Sequence, residues 1–352
     1  MNNQSLSFEC AFPIENYPFI TMAHGSGGRL TQHLLDYIFR PAFSNLLLEQ
    51  QHDGTVLTLP SNRIAITTDS YVVHPLFFPG GNIGELAITG TINDLSMCGA
   101  KPIYITCAFI LNEGLPSATL IQVVDAIRQS ALANNVQIIA GDTKVVEKSA
   151  FGGLYINTTG IGIAPADLTI SPQMIQKGDA IILSGDVGRH GLAVLAQREN
   201  FGFNPPIRSD CAALWPMVNK LLENEISVHC LRDLTRGGLA GALVELANTS
   251  QLSFEVAQNK IAVSQEVHAG CELLGLDPLY VANEGRMILF IPANQVPKAL
   301  AILHEFPNCK AAAQIGVVNS QSHGNNEVIL KTHFNSERIL VPFSGEQLPR
   351  IC

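Results

Sequence analysis

The chain has 352 residues, of which 47% are hydrophobic and 14% charged, and its formal net charge is −9. That much apolar material excludes a disordered chain, and the length points to two packed domains. With a negative balance and no run of Lys or Arg, nucleic acid is not an expected partner, because phosphate binding needs a basic stripe.

So few charges also leave apolar surface to be covered, for which a homo-oligomer is the simplest means. The first ten residues, Met1 to Cys10, have neither a basic start nor an apolar stretch of signal-peptide length. No apolar run approaches the ~20 residues that span a bilayer. The eight cysteines are scattered without a CxxC pair, so neither a disulfide framework nor a zinc site is expected. A cytoplasmic protein without a membrane segment is the expectation.

Short β-branched runs alternate with amphipathic stretches, the pattern of an α/β (α+β) fold. Arg63–Thr68 and Val136–Ala140 read as strands, each followed by Asp or Gly-Asp, and Leu154–Ile163 reads as a longer strand. Between them Ser117–Asn134 is helical, with apolar residues at Leu120, Ile121, Val124, Ile127 and Ala131 and with Ser117 as N-cap. The turn-rich stretch Ala164–Pro172 marks a domain boundary. Beyond it Asp179–Ser184 is a strand, Leu239–Ala247 a helix, Arg286–Ile291 a strand and Ala299–His304 part of a helix. This gives domains 1–164 and 165–341, with an irregular tail, 342–352, holding two prolines and a glycine.

Three aspartates follow apolar runs: Asp69, Asp94 and Asp142. Carboxylates at strand ends can share one rim of a sheet and hold Mg2+ against phosphate oxygens. Each alone is equally an ordinary cap or turn residue. Lys144, two residues after Asp142, adds a point charge. The runs His24–Gly28, Pro79–Gly84 and Arg236–Gly238 place glycines before helices, where exposed backbone N–H groups bind anions or simply make tight turns. Neither GxxxxGK[ST] nor GxGxxG occurs. His24 and His190 sit in such loops, where they can touch phosphate or be locally bonded. Glu284, just before an apolar strand, suits a general base or a salt bridge with Arg286. Cys352 is the last residue; the ten residues from Phe343 onward reach at most ~33 Å, the length of a carrier arm. Arg350 can offset the terminal carboxylate, which disfavours a thiolate.

Taken in order, His24–Gly28, Asp69-Ser70, Pro75–Gly81, Asn93-Asp94, Gly141–Val146, Asp233–Gly238, Asn283–Gly285 and the terminal Pro349-Arg-Ile-Cys352 resemble the HypE family of hydrogenase maturation proteins. The resemblance covers all but the first ~15 residues, and such termini are commonly variable. It implies the two-domain fold of aminoimidazole ribonucleotide synthetase and selenophosphate synthetase, with the N-terminal sheet pairing across a homodimer. It implies ATP-dependent dehydration of an S-carbamoyl group on Cys352 to a thiocyanate, with HypF as carbamoyl donor and HypC–HypD as cyanide acceptor. On that resemblance Mg2+ lies on Asp69, Asp94 and Asp142. ATP is contacted by those residues together with Asn93, Thr143, Lys144, His24, Gly27 and Gly28, and Glu284 serves as base. Two other readings remain open at this point. A sibling synthetase acting on a free small substrate would not need Cys352, and selenophosphate synthetase would need a reactive Cys-Lys pattern that Cys10 lacks. A non-catalytic carrier would not need the Asp–Lys set.

Overall fold

The structure, a computed structural model, describes residues 13–50, 54–148, 153–319, 326–334 and 336–342. By its contacts the chain divides into two units: residues 1–72, 82–91 and 102–163, and residues 73–81, 92–101 and 164–352.

The first unit is built on four strands: β1 (Ile64–Tyr71), β4 (Lys101–Asn112), β5 (Gln137–Val146) and β6 (Leu154–Ile163). They lie in the order β1-β6-β4-β5. The short strands β2 (Phe77–Phe78), in the second unit, and β3 (Gly81–Asn82) form a two-stranded sheet. β1 runs antiparallel to β6, with Asp69 opposite Thr158, and β4 runs parallel to β5, with Cys107 opposite Gly141. A parallel pair needs a long crossover. Helix α4 (Ser117–Ala133) supplies it, burying Leu120, Val123, Val124, Ile127 and Ala131 at helical spacing. Leu120, Val123, Val124 and Ile127 each contribute about 1.5–3 kcal/mol if fully buried. Ser117 is not the cap. Pro116 holds that position, and the buried Ser117 hydroxyl donates instead to Tyr17 O at 2.7 Å. A long-range carbonyl has outcompeted the local capping bond.

Period-2 alternation divides the sheet. Ile105, Cys107, Phe109 and Leu111 of β4 are buried, whereas Ile110 on the other face is 43% exposed. On β1, Ile64 and Ile66 are 42% and 63% exposed, with Ile163 and Ile161 opposite them. One face therefore has a helix-covered core and the other is open and apolar. Against the covered face α1 (Arg29–Leu34) continues through a π-helical stretch (Leu35–Phe39) into α2 (Arg40–Phe43). The helix α3 (Ile83–Met97) contributes its first residues to this unit and its last to the other.

The second unit holds a seven-stranded sheet of β7 (Asp179–Leu183), β8 (Cys230–Asp233), β9 (Ser253–Ala257), β10 (Met287–Pro292), β11 (Ala313–Asn319), β12 (Val328–Lys331) and β13 (Glu337–Leu340). Their order is β13-β12-β9-β11-β7-β10-β8. Ile288 and Phe290 of β10 pack with Leu239, Leu243 and Leu246 of α7 (Gly238–Ser250). Leu289 and Ile291 pack on the opposite side with Met217 and Leu221 of α6 (Trp215–Glu223) and Leu303 of α9 (Val296–Leu303). Both faces of β10 are thus buried, which is why it reads as an unbroken apolar run. Helices α5 (Arg189–Arg198) and α8 (Gln265–Leu274) enclose a smaller cluster around Leu192, Leu195 and Val267. At the β13 edge Tyr280 OH donates to Val341 O at 2.9 Å, and Arg338 pairs with Asp277 at 2.9 Å. Among the described residues no helix is long and apolar enough to cross a membrane.

Candidate functional site

In the first unit β5 carries most of the expected chemistry. Gly141 is obligatory there: a Cβ would lie 2.5 Å from Cys107 O, so only glycine lets β5 approach β4 this closely. Asp142 follows, exposed, its Oδ1 accepting the Thr143 N–H at 2.8 Å. By register Asp142 shares the open face with Ala108, and Lys144 shares it with Ile110. Thr143 lies on the covered side, level with Phe109.

A cavity of about 420 Å³ opens against this strand. Its walls include Gln32, Leu35 and Phe39 from the α1–α2 run, Thr55, and Ile139 to Thr143 of β5, with Cys107 and Phe109 as floor. The volume falls within the range of small-molecule pockets. Burial pushes the Cys107 thiol up to about 12, so this sulfur is an inert wall and not a nucleophile.

The loop His24–Gly28 is fixed on the same strand, because a Cβ on Gly25 would meet Val145 at 2.8 Å. His24 is fully buried, and its Nδ1 accepts the Thr21 N–H at 3.1 Å. Burial lowers its pKa, so it stays neutral and serves as a cap for the loop. Gly27 has φ +80° with open space around the Cβ position, and its N–H donates to Thr31 Oγ1 at 2.9 Å. Gly28 is the N-cap of α1.

Asp69 and Asp142 do not terminate their strands. β1 runs on to Tyr71 and β5 to Val146, because each continuation has a paired partner. β1 and β5 are the two edge strands, three inter-strand steps or ~14 Å apart. Within one chain the sheet therefore keeps Asp69 and Asp142 apart. Asp69 is exposed and accepts the Ser70 N–H at 2.7 Å. Asp94 lies inside α3 and groups with the second unit. Among the described residues no three His, Cys, Asp or Glu side chains form a metal-sized cluster.

In the second unit Glu284, 6% exposed, sits in the turn that feeds β10. Arg286 is a neighbour with other duties. It binds Asp186 Oδ1 at 2.6 Å and the Asp186 carbonyl at 2.8 Å, and it approaches Asp210 to 3.9 Å. Arg189 also reaches Asp186, at 2.5 Å. Asn93 is 1% exposed; its amide donates to Ala212 O and Glu284 O and accepts the Leu214 N–H at 2.7 Å. Its polar atoms are spent on backbone, so it shapes this turn. Asp186, Arg189 and Asp210 were not singled out as site residues from the sequence. Asp210 and Asp186 join the turn across 74 and 100 residues of chain, which no local spacing signals, and Arg189 is linked to it only through Asp186. Cys352 lies outside the described residues.

Two units of this architecture, the first with a cavity in the small-molecule range, match the AIR synthase related proteins. The N-terminal domain of that family matches residues 51–164 and its C-terminal domain residues 176–329. The carbamoyl dehydratase HypE of Azotobacter vinelandii is 44% identical over 333 residues, covering 95% of this chain and 97% of that protein. A crystal structure of the hydrogenase maturation protein HypE in complex with ATP superposes with a TM-score of 0.91 at 43% identity, covering 94% of this chain and 99% of that one. A HypE–HypF complex matches at TM-score 0.76 and 39% identity, covering 88% and 99%. The chain belongs to the HypE family of hydrogenase maturation carbamoyl dehydratases.

Proposed function

We propose that this protein is a cytoplasmic, homodimeric, ATP-dependent dehydratase that converts an S-carbamoyl group on Cys352 to a thiocyanate, a lyase reaction yielding ADP and phosphate. The observation that carries the reading is the cavity beside Asp142 and Thr143, one residue from Lys144, in a chain 43% identical to a HypE crystallised with ATP. The cavity takes the nucleoside end, its apolar wall of Leu35 and Phe39 facing the base. The phosphates then run toward Asp142, Lys144 and the Gly27-Gly28 backbone, with Thr143 and the His24-capped loop shaping their path.

The donor set fits Mg2+: exposed carboxylates, each with one oxygen already oriented by a backbone N–H, are hard ligands for an ion that needs one or two of them and keeps its waters. Asp142, beside the cavity, would hold it together with its waters, and it would supply charge neutralisation to the phosphates; Asp69, ~14 Å away on the opposite edge strand, does not reach the same ion within one chain.

The chemistry assigns the remaining roles. In S–C(=O)–NH2 the oxygen cannot leave as oxide. The carbonyl oxygen attacks the γ-phosphorus, the bond to ADP breaks, and the amide nitrogen gives up one proton. The phosphorylated imidate then loses phosphate and its second nitrogen proton, leaving S–C≡N. Lys144 stabilises charge on the transferring group, since phosphoryl transfer is mostly positioning and electrostatics. Glu284 receives a nitrogen proton. Keeping the carbon on sulfur prevents its release between donor and acceptor. The carbamoyl group comes from HypF, in keeping with the HypE–HypF complex of a relative, and the cyanide passes to HypC–HypD for the iron of the [NiFe] centre. The exposed Ile64 and Ile66 of β1, on the edge strand away from β5, are the surface for a second copy.

Intact-mass analysis tests this. With the carbamoyltransferase, carbamoyl phosphate and ATP, Cys352 gains a carbamoyl group, which then loses one water. Cys352→Ala is expected to show neither change; either change on that variant sinks the proposal.

A further inference from the structure

The Glu284 peptide is held on both sides. Its N–H points at both oxygens of Asp210, each at 3.3 Å, and the next N–H, of Gly285, donates to Asp210 Oδ2 at 3.0 Å. Its carbonyl accepts the Ala212 N–H at 3.3 Å and the Asn93 amide at 3.3 Å. A Cβ on Gly285 would lie 2.0 Å from Asp210 O, so the two segments meet backbone to backbone. The Asp210 side chain is fully buried and faces Arg286, itself tied to Asp186. Burial pushes the Asp210 carboxyl up, while Arg286 and the backbone N–H groups around it pull it back. A carboxylate taken out of water is costly unless its hydrogen bonds are specified. Here most of them end on the two residues of one turn.

We propose that Asp210 is the positioning residue for Glu284, its buried carboxylate fixing the backbone from which the Glu284 side chain reaches the nitrogen proton. The proposal rests on Glu284 being the base of the dehydration step. Asp210 touches no reacting atom and acts only through the turn.

The test is a double-mutant cycle on the full chain, carbamoylated at Cys352 and then given saturating ATP, with water loss followed by intact mass. Asp210→Asn keeps the shape but removes the charge. It is expected to slow water loss on the order of tenfold to a hundredfold, the cost of a small misplacement, with the KM for ATP unchanged within about twofold. In a Glu284→Gln background the same change is expected to cost less than about twofold, because coupled residues are non-additive. A merely structural role would multiply the two losses, and that result overturns the proposal, as does wild-type speed in Asp210→Asn. Normal water loss by Glu284→Gln overturns both the base assignment and the proposal while leaving the dehydratase reading intact. Absence of water loss in the unmodified protein overturns the dehydratase reading itself. If Asp210→Asn does not fold, Asp210→Glu keeps the charge but displaces it by one methylene. The same loss and the same non-additivity are then expected of it.

Discussion

His190 follows Arg189 at the start of α5 and is fully buried. Its Nδ1 lies 2.9 Å from Ser209 Oγ, its ring edge meets Phe78 at 5.3 Å, and Nε2 is buried without a hydrogen-bond partner among the described residues. Burial lowers its pKa from 6.5 to about 3. The unfolded chain therefore binds more protons between those values, and His190 withdraws stability as pH falls below about 6.5. We expect the melting temperature to drop from pH 7 to pH 5, and to drop less in His190→Gln; an unchanged pH slope would refute this. His24, also lowered by burial, keeps part of the slope in the variant. The sequence places both histidines in glycine-rich loops. It cannot show that they point inward, because burial is decided by residues far along the chain.

Elements were more legible than their contacts. The strand expected at Leu154–Ile163 is β6 to the residue, and the helix at Ser117–Asn134 is α4 less its last position. Both have complete periodic patterns. Ends were missed where pairing extends an element. β5 runs six residues past Ala140, because Gly141 to Val146 find Cys107 to Asn112 in register. The helix expected at Leu239–Ala247 begins at Gly238, after Gly237 at φ +85°, and continues to Ser250. The helix expected from Ala299 begins at Val296, with a proline in its first turn, where a missing N–H costs nothing. The same strand extension explains why Asp69 and Asp142 are interior to β1 and β5. Gly141→Ala tests how tightly β4 and β5 are joined. Its methyl group cannot fit 2.5 Å from Cys107 O, so we expect destabilisation of about 1–3 kcal/mol by urea unfolding. A neutral substitution would mean that the strands part freely.

By contacts the chain divides into two units, and residues 73–81 and 92–101 group with the second, although the expected boundary at Ala164–Pro172 puts them in the first. The open face of the first sheet was not readable strand by strand, because Ile64, Ile66 and Ile110 look like core residues until their partners are known. Ile66, 63% exposed, is the sharpest probe of a second copy on that face. Ile66→Glu is expected to convert dimer to monomer in light scattering with the far-ultraviolet spectrum retained, since a buried unpaired carboxylate is strongly disfavoured. A dimer unaffected by that charge would place the interface elsewhere. The β13 edge has its own consequence. Tyr280 and Arg338 fasten the chain at Val341, and eleven residues later comes Cys352. A polypeptide of that length cannot carry its end beyond ~36–40 Å, so the thiol stays at an effective concentration on the order of millimolar around its own body. If Cys352 carries the substrate as proposed, a free thiocarbamate in solution would compete poorly against such a tethered group. Cutting the chain before Pro342 and supplying the severed peptide would raise the concentration needed for turnover, while leaving the chemistry at the nucleotide intact.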